Sequence, residues 1–458
     1  MPQLKVFLPS STHNLSLARL LSAARTSVMF FTLATASMAS ANNKSMPERE
    51  TSTDESRSSS VRVLIYGDSG DGSSAQRRVG EAMADRNDAM PASFAVSMGD
   101  NQYVPTRTNV WRDIFEIPYA RLISRGLRMY QTVGNHDMEE NRLADQLAYS
   151  RSVDALRRDV GGFVMPAENY VIQKDMLRWI VINVSNAIGT VRLTDATMAF
   201  ARREICAPFD GWKVVSMHYP FWSTGPRSDN LVLQARLLPL FEDCPVDFIF
   251  SGHEHHAEWF LPWKWTFFGI VGNGHEVRTA RMPSMRESLF RLNELGFAEL
   301  VVDRDTARVR FFDDDGKIRY FTSMQKRPAM WADTWKQVGR RLYGRVLPTE
   351  GVATNQIEAE VGFTKVLSDP LASRGTGSDQ WIFYPARRNN RIPQESEDLI
   401  AFAAEIPDSW LNGGFAMFRY RYNSNSPWIY GDRSEGSGLH GNYDGIQLMN
   451  ALQINARN

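Results

Sequence analysis

Five short apolar runs in this chain each break off at a polar turn, and the turns carry the same few residue types. Val61–Tyr66 (VRVLIY) runs into Gly67-Asp68-Ser69-Gly70. Ser93–Met98 runs into Gly99-Asp100-Asn101-Gln102-Tyr103, and Met129–Val133 into Gly134-Asn135-His136-Asp137. Lys213–Met217 ends at His218. Asp247–Ser251 runs into Gly252-His253-Glu254-His255. Short runs rich in β-branched and aromatic residues read as buried strands. Glycines sit where the chain must turn sharply. In open α/β sheets, ligands gather beyond the carboxyl ends of the strands. A chain that delivers Asp, Asp, Asn, His and His at five such ends is constrained to bring those ends together.

Helical stretches fall between the strands, at Ser74–Asp85, Ala196–Glu204 and Leu231–Leu238. Further strands are expected at Arg178–Asn183, Phe267–Val271 and Phe297–Val302. Asp314-Asp315-Gly316 marks a hairpin between Arg308–Asp313 and Lys317–Phe321. Strands separated by helices give an α/β fold built from βαβ units, with antiparallel strands mixed in at the end. After residue 326 a helix is expected over Ala329–Tyr343. Short strands follow at Trp381–Tyr384, Phe415–Tyr422 and Trp428–Tyr430, separated by Gly, Asn, Ser and Pro. Residues 327–458 thus read as an α+β or mostly β segment of unassigned role, which either packs on the rest or binds a partner through its aromatic loops.

The first 41 residues contain Lys5, Arg19 and Arg25 and no acid. They end in the uncharged stretch Val28–Ala41, with Ala39-Ser40-Ala41 as a small-x-small cleavage signal. Residues 1–41 are read as a signal peptide, with a disordered tail or a retained anchor as the alternatives. The uncharged run is 14 residues, short of the ~20 that a membrane helix requires, so no membrane span is expected after cleavage. Residues 42–60 hold one apolar residue besides proline, Met46, and read as a flexible linker. The expected location is secreted or periplasmic. The 458 residues carry 52 basic and 52 acidic side chains, so no overall basic field marks a stable nucleic-acid partner. Two cysteines, Cys206 and Cys244, exclude a thiolate zinc cluster. They either form a disulfide in an oxidising compartment or remain buried thiols.

One metal rarely needs so many donors, whereas two metals sharing a bridging carboxylate do. Such pairs suit phosphoester hydrolysis, because they clamp both the attacking and the leaving oxygen. Three of the eight histidines lie in His253-Glu254-His255-His256. Oxygen and imidazole donors favour Zn, Fe or Mn over copper or an iron–sulfur centre.

The ordered set resembles the calcineurin-like metallophosphoesterases and, more narrowly, the purple acid phosphatases of the tartrate-resistant type. The pattern DxG, GDxxY, GNH[E/D], VxxH and GHxH is met at Asp68, Asp100 with Tyr103, Asn135 with His136, His218, and His253 with His255. The similarity spans about residues 61–326 and implies a four-layer αββα sandwich with mixed sheets as the catalytic domain. It implies Fe(III) at Asp68, Asp100, Tyr103 and His255. A second, divalent ion (Fe, Zn or Mn) would take Asp100, Asn135, His218 and His253, with Asp100 bridging. Many relatives have His where this chain has Gly70, and Tyr103 supplies the donor that Gly70 cannot. A phenolate is a hard anion that favours a trivalent ion.

The activity implied is hydrolysis of phosphate monoesters on a small phosphorylated substrate, by attack of a metal-bound hydroxide. His136 would stand next to the leaving oxygen. Phosphodiester or nucleotide hydrolysis on the same metals is one alternative, and a non-catalytic binding protein using residues 327–458 is another. The chain departs from the family nine residues after His218, where a histidine is usual and Arg227 stands instead. Arg227 is either a phosphate-binding guanidinium or a solvated loop residue.

Overall fold

The computed structural model describes residues 5–7, 60–156, 161–326, 329–348, 353–364, 382–388, 399–411, 415–422, 429–430, 432–433 and 452–453. Of the segment read as a signal, only Lys5–Phe7 is described. The linker lies outside the described residues apart from Ser60.

The chain opens with strand β1 (Lys5–Phe7) and resumes with β2 (Val61–Tyr66), which is buried along its whole length. Helix α1 (Ser74–Ala89) begins where Ser73 accepts from the Gln76 amide at 3.1 Å, a side-chain N-cap. Then come β3 (Phe94–Ser97), α2 (Ala120–Ser124), β4 (Arg128–Gln131), α3 (Arg142–Leu156), β5 (Gly162–Val164), β6 (Tyr170–Lys174) and β7 (Leu177–Val181). Thr194 caps α4 (Asp195–Cys206), which leads to β8 (Trp212–Ser216). Asn230 caps α5 (Leu231–Asp243), which leads to β9 (Phe248–Ser251). Strands β10 (Ala257–Phe260), β11 (Phe267–Val271), β12 (Ser288–Leu292), β13 (Gly296–Val302), β14 (Thr306–Asp313) and β15 (Ile318–Lys326) complete the region up to residue 326. Beyond it lie β16 (Ala329–Val338), β17 (Arg341–Pro348), β18 (Glu358–Thr364), β19 (Ile382–Pro385), β20 (Arg387–Arg388), β21 (Ile400–Glu405) and β22 (Phe415–Arg421).

Two sheets dominate. One has eight strands in the order β1-β6-β7-β8-β9-β11-β10-β12. The other runs β20-β21-β17-β16-β15-β14-β13-β2-β3-β4-β5. Each has a parallel block: β2, β3, β4 and β5 at one end of the larger sheet, and β7, β8, β9 and β11 in the middle of the smaller. Large side chains of both sheets, including Phe94, Tyr130, Trp179, Trp212, Phe248 and Trp259, share one buried core, so the sheets face each other. Helices α1 and α2 pack on the outer face of the larger sheet, and α4 and α5 on the outer face of the smaller. This is the expected αββα sandwich. Cys206 and Cys244, at the ends of α4 and α5, are joined as a disulfide.

The expected helix over Ala329–Tyr343 is instead the hairpin β16–β17. It contains several good helix formers (Ala, Met, Lys, Gln, Arg, Leu), but pairing on both edges overrides that weak preference. Trp331 lies opposite Met324 of β15 on one side and Leu347 of β17 on the other. Gly339, at φ 57°, takes the left-handed turn position between the strands. The larger sheet therefore continues without a break past residue 326. A five-stranded sheet containing β19-β18-β22 packs on this extension through Val361, Phe363, Phe418 and Tyr420.

The larger sheet is tied to α1 through Glu299. Its fully buried carboxylate meets Arg62, accepts from Arg86 Nε and Nη2 at 2.9 Å each, and accepts from Arg310 Nη1 at 2.7 Å. Burial alone would raise its pKa, but the three guanidinium groups hold it below the usual glutamate range. A depressed carboxylate stabilises the fold above its unfolded pKa and loses that effect as pH falls through the folded value. Glu299→Ala leaves one buried and two half-buried arginines without their shared acceptor and should cost about 3–5 kcal/mol in urea denaturation at neutral pH. A loss under about 1 kcal/mol would contradict this account.

Candidate metal centre

The turns after β2, β3, β4, β8 and β9 meet in the crevice beyond the strand ends. Asp68 and Asp100 are both buried. The Tyr103 hydroxyl lies between them, 3.2 Å from Asp68 Oδ1 and 3.1 Å from Asp100 Oδ2, and 3.2 Å from His255 Nε2. On the other side of Asp100, His218 Nε2 is 3.4 Å from Asp100 Oδ2. It is 3.1 Å from both Asn135 Oδ1 and His253 Nδ1. The structure thus brings all seven expected donors together. The ligand atoms form two groups, Asp68–Asp100–His255 and Asp100–His218–His253, each within 4.8 Å, and Asp100 belongs to both.

The backbone aims these side chains at some cost. Asp68, Asp100, His253 and His255 all lie in the left-handed region, at φ of 52°, 54°, 71° and 49°. Non-glycine residues rarely adopt it, and such strain persists only where the surroundings impose it. The His253 amide donates to Asp68 Oδ2 at 2.8 Å, and the His136 amide to Asp100 Oδ1 at 3.0 Å, so carboxylates from one turn fix the next. Gly70 has a packing reason as well. A Cβ there would lie 1.9 Å from the Asn101 carbonyl oxygen, so no histidine fits without moving the loop that carries Tyr103.

The electrostatics suit bound cations. Burial, partly offset by His218, pushes the Asp68 carboxyl up to about 8. Burial works the same way on Asp100, but His218, His136 and His253 hold it below the usual carboxylate range. Burial, followed by the charges of Asp100 and Asp68, pushes the Tyr103 phenol well above its usual range. Burial and Arg278 drive His255 down to about 2. Carboxylates, a phenol and imidazoles buried together are compensated by positive charge placed among them. The donor set therefore fits two metal ions with Asp100 between them.

Sequence reasoning gave no role to three neighbours. Asp137 is buried and accepts from the Asn101, Gln102 and Gly134 amides at 2.8, 3.0 and 2.7 Å, and from Gln146 Nε2 at 2.8 Å. It pins the β3 and β4 turns to each other. His275 Nδ1 bonds the Asp68 carbonyl oxygen, and its ring centroid is 4.5 Å from that of Tyr103. Glu276 Oε2 lies 2.9 Å from His255 Nδ1. Only the GNH[E/D] pattern hinted at Asp137, and nothing local marked the other two. Arg227 lies at the edge of the site, with Nη1 donating to the His253 carbonyl oxygen at 2.8 Å.

Two facing sheets with paired donor groups at the strand ends form a site suited to a pair of metal ions. Residues 61–257 match the family described as calcineurin-like phosphoesterase, and they form a domain of that family. The chain is 22% identical to rat tartrate-resistant acid phosphatase type 5 over 309 residues, 59% of this chain and 92% of the relative. It is 24% identical to purple acid phosphatase 3 of Arabidopsis thaliana over 304 residues, 60% of this chain and 78% of the relative. Among solved structures, GAP50, the anchor in the inner membrane complex of Plasmodium, superposes with a TM-score of 0.49 at 18% identity, covering 57% of this chain and 87% of that one.

Replacing Asp137 with alanine removes the acceptor that joins the two turns. Metal retention in a chelator competition should weaken at least about tenfold, as for lost supports of metal ligands elsewhere. Unchanged retention would show that the turns hold their shape without it.

Proposed function

We propose that this chain is an exported acid phosphatase that hydrolyses phosphate monoesters on a pair of metal ions. The observation that supports it most is the sharing of Asp100 by the two donor groups. The set Asp68, Asp100, Tyr103 and His255 suits Fe(III), because two carboxylates and a phenolate offer hard, anionic donors. The set Asp100, Asn135, His218 and His253 has fewer anions and suits divalent Fe, Zn or Mn. Bound there, the ions would neutralise phosphoryl charge and activate water as the nucleophile.

The chain's own residues do the rest. Tyr103 carries a phenol that burial keeps protonated and that only a strong cation would ionise. His136 is an imidazole left open to substrate. Its side chain is 33% exposed, against 0%, 6% and 2% for His218, His253 and His255 as residues. Its Nδ1 is held 2.9 Å from Glu139 Oε1, which leaves Nε2 to hydrogen-bond the phosphoryl group or protonate the leaving oxygen. Arg227 adds a fixed positive charge at the rim.

Export is supported by the signal-like residues 1–41 and by the Cys206–Cys244 disulfide. No described helix is long and apolar enough to cross a membrane. On this reading, β1, which pairs with β6, is removed with the signal.

The metal-loaded enzyme should cleave p-nitrophenyl phosphate far faster than bis(p-nitrophenyl) phosphate in mildly acidic buffer. The reverse order would assign a phosphodiesterase, and no turnover of either would favour a binding protein. His136→Ala should lower kcat by about 10²-fold or more with both metals retained; unchanged turnover removes His136 from the reaction. N-terminal sequencing of exported material should start at Asn42, whereas an intact Met1 would refute cleavage.

A further inference from the structure

A cleft of about 340 Å³ opens beside the metal centre, and His253 belongs to both. Among the described residues, Arg227 is the one fixed cation in its lining, beside the acids Asp229 and Glu254; the Asp229 carboxylate is taken up by the Ser223 and Met285 amides and the Ser284 hydroxyl. Nη1 of Arg227 is held on the His253 carbonyl oxygen, and its backbone amide meets Glu254 Oε2 at 3.4 Å. No hydrogen bond engages Nε or Nη2 among the described residues, and the side chain is exposed. Glu254 also lines the cleft but has no solvent exposure. In the same cleft, the first turn of α5 offers apolar surface. Leu231 and Val232 are 63% and 53% exposed, unusual for such side chains next to a polar site, and both line the cleft. Tyr219, nearly buried, forms part of the wall.

Resting on the monoesterase reading above, we propose that this cleft holds the leaving group, and that it selects phosphomonoesters whose organic part is apolar and ends in a second anion. The apolar turn would cover the body of such a group, and the free edge of the Arg227 guanidinium would take its carboxylate or second phosphate. Guanidinium–carboxylate pairs favour this two-point geometry. Contact with the His253 carbonyl oxygen places the Arg227 guanidinium beside a residue of the metal-ligand set. Arg227 thereby becomes a specificity residue for the part of the substrate that departs, and the transferred phosphoryl group is left to the metals and His136.

The test compares 4-carboxyphenyl phosphate with its neutral isostere 4-carbamoylphenyl phosphate on the purified metal-loaded protein. The two differ in one charge at the far end of the ring. Wild type should prefer the carboxylate in kcat/KM by at least about tenfold, as expected for one charge-assisted hydrogen bond. Arg227→Gln should bring the ratio close to one. Val232→Asp, which places a negative charge in the cleft wall, should turn the preference toward the neutral substrate. Equal use of both substrates by wild type overturns the assignment. So does an Arg227→Gln variant that slows both by the same factor, since the guanidinium would then grip the transferred group. If wild type hydrolyses neither substrate, nor p-nitrophenyl phosphate, the monoesterase reading itself fails and takes the cleft assignment with it.

Discussion

The structure turns on one carboxylate. Asp100 lies in the turn after a buried parallel strand, is in the left-handed region, and has oxygens within reach of donors from both sheets. Its Oδ1 is fixed by the His136 amide at 3.0 Å, and its Oδ2 faces both Tyr103 and His218. Asp68, Tyr103 and His255 gather on one side of it, and Asn135, His218 and His253 on the other. Without a group able to serve both sides, the turns would form two separate clusters with no route to shared chemistry. The requirement extends outward. Asp100 stays in place because Asp137 pins the neighbouring turn, and that turn stays in place because the parallel strands beneath it are packed between two layers.

The same constraint explains why so many glycines crowd the centre. The strand ends must approach within hydrogen-bonding distance of one another, and a Cβ at Gly134 would fall 2.1 Å from Asp100 Oδ1. Close approach of backbones is what places seven donors from five turns in one crevice. Gly70 shows the chemical consequence. Packing against Asn101 excludes a larger side chain there, and the phenol of Tyr103, on the very loop that Gly70 supports, reaches the place between Asp68 and His255.

Much of this was legible in the sequence. Five strand ends, their order and the identity of the donors can be read directly, because donor type and turn glycines are local properties. The helices α1, α4 and α5 and the late hairpin at Gly316 were legible for the same reason. What local pattern does not carry is long-range accommodation. Asp137, His275 and Glu276 act across the crevice on residues far away in the chain, and no periodicity marks them. The left-handed conformations of Asp68, Asp100, His253 and His255 are imposed by tertiary contacts, against their own preference. The segment Ala329–Val338 misled because its helix-forming residues are held as a strand by partners at both edges. Its Asp333 is buried against Arg345 Nε and Nη2 at 3.0 and 2.6 Å, a cross-strand pair visible only once the two strands are aligned.

The central proposal is that Tyr103, not a histidine at position 70, completes the first metal site and would bind ferric iron there. The most direct measurement is the visible absorption spectrum of the purified protein, with metal content determined on the same sample, for wild type and Tyr103→Phe. The account predicts a broad visible band in wild type, with iron present, that disappears in the variant while the iron is retained. A colourless wild type with both sites filled by divalent ions, or a band that survives in Tyr103→Phe, would contradict it.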